Sequence, residues 1–203
     1  MNALIWAALG LLCGSLPFSL WVARIGMGVD LRRVGDGNPG AANVYHAGGR
    51  GWAVLALLLD FAKGAVPVWA ARWAGVEEWQ MLPVALGPIV GHAFSPLLGF
   101  RGGKALAVTF GVWTGLTLWV GPVLMGLGFA VGVAFLSTNA WSVALGMLAL
   151  LPLGLFMAQP SLAAIWLGNW LILLFMQRHQ LREKPRFRPW FSHAFGLSRG
   201  REQ

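Results

Sequence analysis

The chain has 203 residues, of which 57% are hydrophobic and 11% charged, with a mean hydropathy of +0.66 and a formal net charge of +8. That balance excludes a water-soluble domain and describes an integral membrane protein; a spanning helix takes about 20 apolar residues, so about five to seven spans fit and no separate soluble domain does. The cations interrupt apolar runs rather than lining one polar face, which excludes a nucleic-acid surface and makes them markers of topology and anionic partners.

Residues 3–25 form the first predicted span. No basic residue precedes it and Arg24 ends it, so the N-terminus is expected outside and the segment retained rather than cleaved as a signal. Gly14-Ser15-Leu16-Pro17-Phe18 is expected to kink or thin this helix, either for packing or to admit a polar substrate to its backbone. Cys13 is the sole cysteine, which precludes an intramolecular disulfide and argues against redox chemistry.

The loop over 26–50 is the most polar interior stretch. Within it Gly35, Gly37 and Gly40 alternate with Asp36, Asn38 and Asn43, a run of turns able to aim N–H groups and side-chain amides at a polar ligand. Arg32 and Arg33 supply charge for phosphate. A solvated connector also uses Gly and Asn, but hydrogen-bonding side chains at this density favour a binding loop. The second span, 51–71, carries Asp60 and Lys63, spaced to pair on one helix face so that neither charge stands alone in hydrocarbon; a structural role is the simpler expectation. Residues 73–80, with Glu77 and Glu78, form a short outer loop.

The third span, 81–98, brings His92 near the inner surface just before a glycine turn. Gly91 to Ala105 reads Gly-His-Ala-Phe-Ser-Pro-Leu-Leu-Gly-Phe-Arg-Gly-Gly-Lys-Ala, and Arg101-Gly102-Gly103-Lys104 opens the apolar helix that follows. Unpaired N–H groups, a positive helix end and two cations would converge there, which suits an anion. The same segment also fits a loop whose cations only mark the cytoplasmic side. Spans four and five, 105–120 and 123–136, are divided at Gly121-Pro122. A polar inner turn over 137–139, a sixth span over 141–157, an outer turn at Gln159-Pro160 and a seventh span over 161–177 follow.

The tail carries Arg178, Arg182, Lys184, Arg186, Arg188, Arg199 and Arg201. In this arrangement every Lys and Arg except Lys63 and Arg72 lies on one side, so the tail is expected in the cytoplasm. The predicted fold is an all-α integral membrane protein of about seven transmembrane helices. It comprises a seven-span domain over 1–177 and a basic cytoplasmic tail over 178–203, in the cell's inner membrane.

Gly14 to Phe18, the glycine loop from Arg32 to Asn43, Asp60 with Lys63-Gly64, and Gly91-His92 leading into Arg101 to Lys104 together resemble the bacterial acyl-phosphate-dependent glycerol-3-phosphate acyltransferases. The resemblance covers most of the chain. It implies an enzyme that moves a fatty acyl group from acyl phosphate to sn-glycerol 3-phosphate, giving lysophosphatidic acid and phosphate at a cytoplasm-facing site. Its partners would be those two substrates and membrane lipid, with no nucleic acid, no metal, no other cofactor and no coenzyme A thioester; a monomer is expected. His92, Lys104 and Asp36 are the residues expected to take part in catalysis. Arg32, Gly37, Asn38, Gly40, Asn43, His46, Arg101, Gly102, Gly103 and His179 are expected to bind substrate. No Ser-His-Asp arrangement is evident, and an acyl phosphate, already activated, needs no covalent nucleophile.

The sequence departs from the family pattern at four places. Asp36 stands where Ser is usual, and an acid beside a phosphate site repels its ligand unless neutralised or turned away. His46 replaces Arg, Ala105 replaces the Gly after the lysine, and Arg182 occupies the place of an Asn expected shortly after Arg178-His179. Two further readings stay open on these grounds: a related acyltransferase with another acceptor, and a non-catalytic lipid- or phosphate-binding or transport protein.

Overall fold

The structure is a computed structural model, and it describes residues 2–156 and 159–194; Met157, Arg199 and Arg201 lie outside the described residues. All seven apolar segments read from the sequence are helical. Ala3–Met27, Arg50–Trp73 and Glu78–Leu98 are long and apolar enough to cross a membrane, and four shorter apolar helices follow: Leu106–Thr117, Val120–Phe135, Asn139–Leu153 and Pro160–Met176. Helices are the expected answer, because backbone polar groups in lipid must be satisfied within the segment. Many large apolar side chains, including Leu4, Trp21, Val54, Leu58 and Leu127, are exposed, as a lipid-facing surface requires.

The first span is broken as its Gly-Ser-Leu-Pro sequence predicts. It consists of α1 (Ala3–Ser15) and α2 (Phe18–Met27), joined through Leu16 and Pro17. Pro17 cannot donate an N–H, so carbonyls of the preceding turn lose their partners. The non-helical backbone at Leu16 and Pro17 also frees two carbonyls, which side chains from elsewhere in the fold satisfy: Ser95 Oγ donates to Ser15 O and Lys63 Nζ donates to Leu16 O, each at 2.7 Å. The break is therefore built into the tertiary structure.

After α3 (Ala41–His46), the long helix α4 (Arg50–Trp73) and α5 (Met81–Ala93) form the centre with α6 (Leu106–Thr117). Glycines spaced four apart let the backbones touch. On α1, Gly10 and Gly14 face Pro88, and on α5, Gly87 and Gly91 face Ala7 and Leu11; a Cβ at Gly14 or Gly91 would lie 2.2 Å from a backbone oxygen of the other helix. Gly64 on α4 and Gly111 on α6 meet in the same way. In a membrane, where lipid tails are as apolar as Leu, such close packing supplies much of the association. A buried polar chain adds to it: Trp113 Nε1 donates to Asn169 Oδ1 and Asn169 Nδ2 to Thr109 Oγ1, both at 3.0 Å, tying α6 to the last long helix.

The division between spans four and five lies at Leu118 and Trp119, not at Gly121-Pro122. Leu118 turns the chain with φ 55, and Pro122 sits in the first turn of α7 (Val120–Phe135), where its missing N–H costs nothing. The sixth segment is likewise interrupted, into α8 (Asn139–Leu148) and α9 (Leu151–Phe156), before α10 (Pro160–Met176). The short α11 (Arg178–Leu181) and α12 (Pro189–Ala194) belong to the tail, which folds back onto the end of α7. There Arg188 N donates to Phe135 O at 2.8 Å, Ser137 N to Arg186 O at 2.9 Å and Trp190 Nε1 to Ala134 O at 3.1 Å. Phe94, just past α5, meets Phe175 at the end of α10 with ring centroids 5.8 Å apart, so the glycine turn and the root of the tail share one end of the molecule.

Candidate active site

Three pieces of chain meet at that end: the α1–α2 break, the first polar loop, and the turn between α5 and α6. The turn is shaped by left-handed backbone at Gly99, Phe100 and Ala105, the last serving as N-cap of α6. Non-glycine residues in that region are strained, and such strain is concentrated at functional sites. Gly102 N donates to Ala93 O and Gly103 N to His92 O, both at 3.1 Å, which straps the turn to the end of α5. Both N–H groups are thus engaged by protein carbonyls. What glycine provides here is close approach: a Cβ at Gly103 would sit 2.3 Å from His92 Nε2, and one at Gly102 would sit 1.8 Å from His92 O.

His92 is consequently enclosed on both ring nitrogens. Nε2 faces the Gly103 backbone, and Nδ1 lies 4.0 Å from Asp60 Oδ1. Asp60 is itself buried, with Ser19 Oγ donating to its Oδ2 at 2.6 Å and Lys63 Nζ ion-paired with its Oδ1 at 2.7 Å. Pairing is what makes two charges tolerable in this apolar setting. The expected Asp60–Lys63 pair therefore exists, and it does more than neutralise charge, since Lys63 also satisfies the carbonyl at the α1–α2 break. A narrow cleft, with room for little more than one water, runs past Leu16, Pro17, Pro39, Lys63, His92 and Gly103.

The first polar loop closes the cleft from the other side, and one carboxylate organises it. Asp36 Oδ1 accepts from Asn43 Nδ2 at 2.9 Å and from Asn38 N at 3.1 Å, while Lys104 Nζ lies 2.7 Å from Asp36 Oδ2. Asn43 Nδ2 also donates to Asn38 O at 3.0 Å. The turns at Gly35 and Gly37 have φ of 57 and 70, and a Cβ at Gly35 would come within 2.4 Å of Asn43 Oδ1. Partial burial works to raise the Asp36 pKa. The hydrogen bonds from Lys104, Asn43 and the Asn38 N–H, together with the Lys104 charge, outweigh it and hold the carboxyl at about 2. Asp36 is therefore neutralised by Lys104, which answers the repulsion its acidity implied.

Lys104, Asp36, Asn38, Asn43, Gly37, Gly40, Gly102, Gly103 and His92 are thus gathered in one region. His46 lies beside Gly35 at the rim, exposed. Arg32, Arg101 and His179 are exposed, and among the described residues their side chains form no ion pair or hydrogen bond with His92, Lys104 or Asp36. Ser15 falls within the Gly14 to Phe18 motif read from the sequence, whereas Ser19 and Ser95 are not among the residues expected there; the i, i+4 spacing of Ser15 and Ser19 across a Pro break is the signal for Ser19.

A family model described as glycerol-3-phosphate acyltransferase matches residues 4–184. Glycerol-3-phosphate acyltransferase 1 of Thermotoga maritima is 37% identical over 187 residues, covering 84% of this chain and 92% of the relative. The glycerol-3-phosphate acyltransferase of Anaeromyxobacter sp. (strain Fw109-5) is 40% identical over 183 residues, covering 87% and 89%. Among solved structures, the glycerol 3-phosphate form and the lysophosphatidic acid form of PlsY (YgiH), an integral membrane glycerol 3-phosphate acyltransferase, each superpose with a TM-score of 0.81 at 24% identity, over 95% of this chain and 98% of theirs. Those two establish the likeness of fold.

Proposed function

The chain belongs to the glycerol-3-phosphate acyltransferase family, and from that premise we propose that it transfers a fatty acyl group from acyl phosphate to sn-glycerol 3-phosphate. The observation that carries this reading is the meeting of Lys104 with the Asp36–Asn38–Asn43 cradle at 2.7 Å, one residue on from the Gly103 that packs against His92. Both substrates are phosphorylated, and a lysine beside amide and backbone donors is a chemistry suited to phosphate.

In the reaction, the free glycerol hydroxyl oxygen attacks the acyl carbonyl carbon. A new ester C–O bond forms, the bond from that carbon to the phosphate oxygen breaks, and its electron pair leaves with inorganic phosphate, so that lysophosphatidate stays with the bilayer. The chain's task is positioning and charge stabilisation. Lys104, Asn38 and Asn43 hold phosphate oxygens, with Gly37 and Gly40 shaping their turns, and Arg32, Arg101, His46 and His179 add positive or protonatable groups around the rim. His92, fixed between Asp60 and the Gly103 backbone, orients the turn that presents Lys104, and the hydroxyl proton passes to an oxygen of a substrate phosphate. Asp36, held ionised by Lys104, is too weak a proton acceptor for that role and acts through its charge.

The orientation follows from the cations. With the N-terminus outside, residues 1–177 form the membrane domain, and the site end shares the cytoplasmic face with the tail from 178 onward. The test is turnover by purified protein offered acyl phosphate or acyl-coenzyme A as donor, and glycerol 3-phosphate or unphosphorylated glycerol as acceptor. Product with acyl phosphate and glycerol 3-phosphate alone is expected. Equal use of the thioester, or of glycerol, would contradict the donor or the acceptor assignment respectively.

A further inference from the structure

The donors that suit a substrate phosphate in the first loop are already engaged by a side chain of the protein. Lys104 Nζ, Asn43 Nδ2 and the Asn38 N–H all converge on the two oxygens of Asp36. Asp36 orders the first loop from its surface: its side chain is 46% exposed and open to exchange with a ligand, whereas the structural acid Asp60 is buried. It rides on a short segment between Gly35 and Gly37, whose left-handed backbone lets the loop turn without steric cost. A carboxylate offers two acceptor oxygens and one negative charge; a phosphate monoester offers three and nearly two.

We propose that Asp36 is a built-in competitor for the phosphate of the substrate, occupying the Lys104–Asn43–Asn38 cradle until a phosphate dianion displaces it, and that it thereby sets the site's selectivity for dianions over carboxylates. This rests on the reading of the cradle as the glycerol 3-phosphate site. A ligand with one charge and two oxygens only matches what it displaces, and also meets repulsion from the carboxylate it has freed. A dianion gains an oxygen and a charge in the exchange. The residue thus taxes every anion and leaves only phosphate esters with a net gain.

The experiment measures inorganic phosphate, glycerol 3-phosphate and acetate binding by calorimetry to the full chain in detergent, at a pH where phosphate is a dianion, for the parent, Asp36→Asn, Asp36→Ser and Asp30→Asn. Asn at 36 keeps an acceptor for the Asn38 N–H, and Asp30 is an exposed acid of the same loop that makes no contact with Lys104. Losing the internal ion pair should tighten phosphate binding about two- to fivefold in both Asp36 variants, the worth of a partly exposed pair. Discrimination against acetate should fall, and Asp30→Asn should change neither. Unchanged or weaker phosphate binding in the Asp36 variants, or equal tightening in Asp30→Asn, would overturn the proposal. Failure here with normal turnover would leave the acyl-transfer reading standing; tighter binding in a protein that makes no product with any donor would do the reverse.

Discussion

Gly102→Ala places the strap between the α5 end and the α6 entry under direct test. The added Cβ would lie 1.8 Å from His92 O and 2.7 Å from Ala93 O, where ordinary contact begins near 3.4 Å. The turn must therefore retreat by about 1.6 Å, since the obstacle is helical backbone rather than a flexible side chain end. That retreat breaks the 3.1 Å bonds from Gly102 N and Gly103 N and carries Lys104 away from His92. Overpacking of this kind costs roughly 1–3 kcal/mol of stability. The larger effect is on chemistry, because a misplacement of about 1 Å reduces rate on the order of a hundredfold. The assay is kcat and KM with glycerol 3-phosphate and acyl phosphate, beside a thermal melt in the same detergent, with Gly51→Ala as control because a Cβ there meets nothing within 4 Å. Gly102→Ala turning over within about threefold of the parent, while Gly51→Ala behaves normally, would refute the positional argument.

Three further outcomes follow from the same geometry. Asp60→Asn strands Lys63 in a buried setting and should cost about 3–5 kcal/mol, whereas Asp60→Asn with Lys63→Met should recover most of the lost Tm; equal melting of the single and double variants would count against the buried pair. Ala105→Gly relieves a left-handed residue at φ 58 and should stabilise by about 0.5–1 kcal/mol, read as a higher Tm; a lower Tm would mean the conformation carries no strain. Asp36, with a folded pKa of about 2 against about 3.9 in an unfolded chain, contributes stability that is fully present above about pH 4 and is lost as pH falls toward 2. The Tm difference between parent and Asp36→Asn should therefore shrink across that window, and a difference independent of pH would show that the ionised form is not what stabilises.

The helices were legible because lipid leaves a hydrophobic run little choice, and the break at Leu16-Pro17 because proline removes a donor. The position of the turn between α6 and α7 was not. Gly121-Pro122 has the composition of a turn, yet proline is equally at home in a first helical turn, and no residue type announces that Leu118 takes a positive φ. At the site, the residue types were readable but their uses were not. The Gly102 and Gly103 N–H groups suited an anion on sequence grounds, but α5 claims them first, a fact set by helix placement alone. Asp36 and Lys104 are 68 residues apart in sequence, so the pairing that turns a repulsive acid into an internal ligand becomes visible only once the helices are packed. Likewise the spacing of Asp60 and Lys63 foretold their pairing, but not the bond from Lys63 to Leu16 O that holds open the α1–α2 break.

The most direct measurement is the formation of lysophosphatidate and free phosphate from acyl phosphate and glycerol 3-phosphate, by the purified parent and by Lys104→Ala. The parent should yield the two products in equal amounts, and the variant, still folded by its melting curve, should lose on the order of a hundredfold in kcat/KM. Equal rates in the two proteins, or no product from either, would contradict the claim that the Lys104 turn and the first polar loop form the site of acyl transfer.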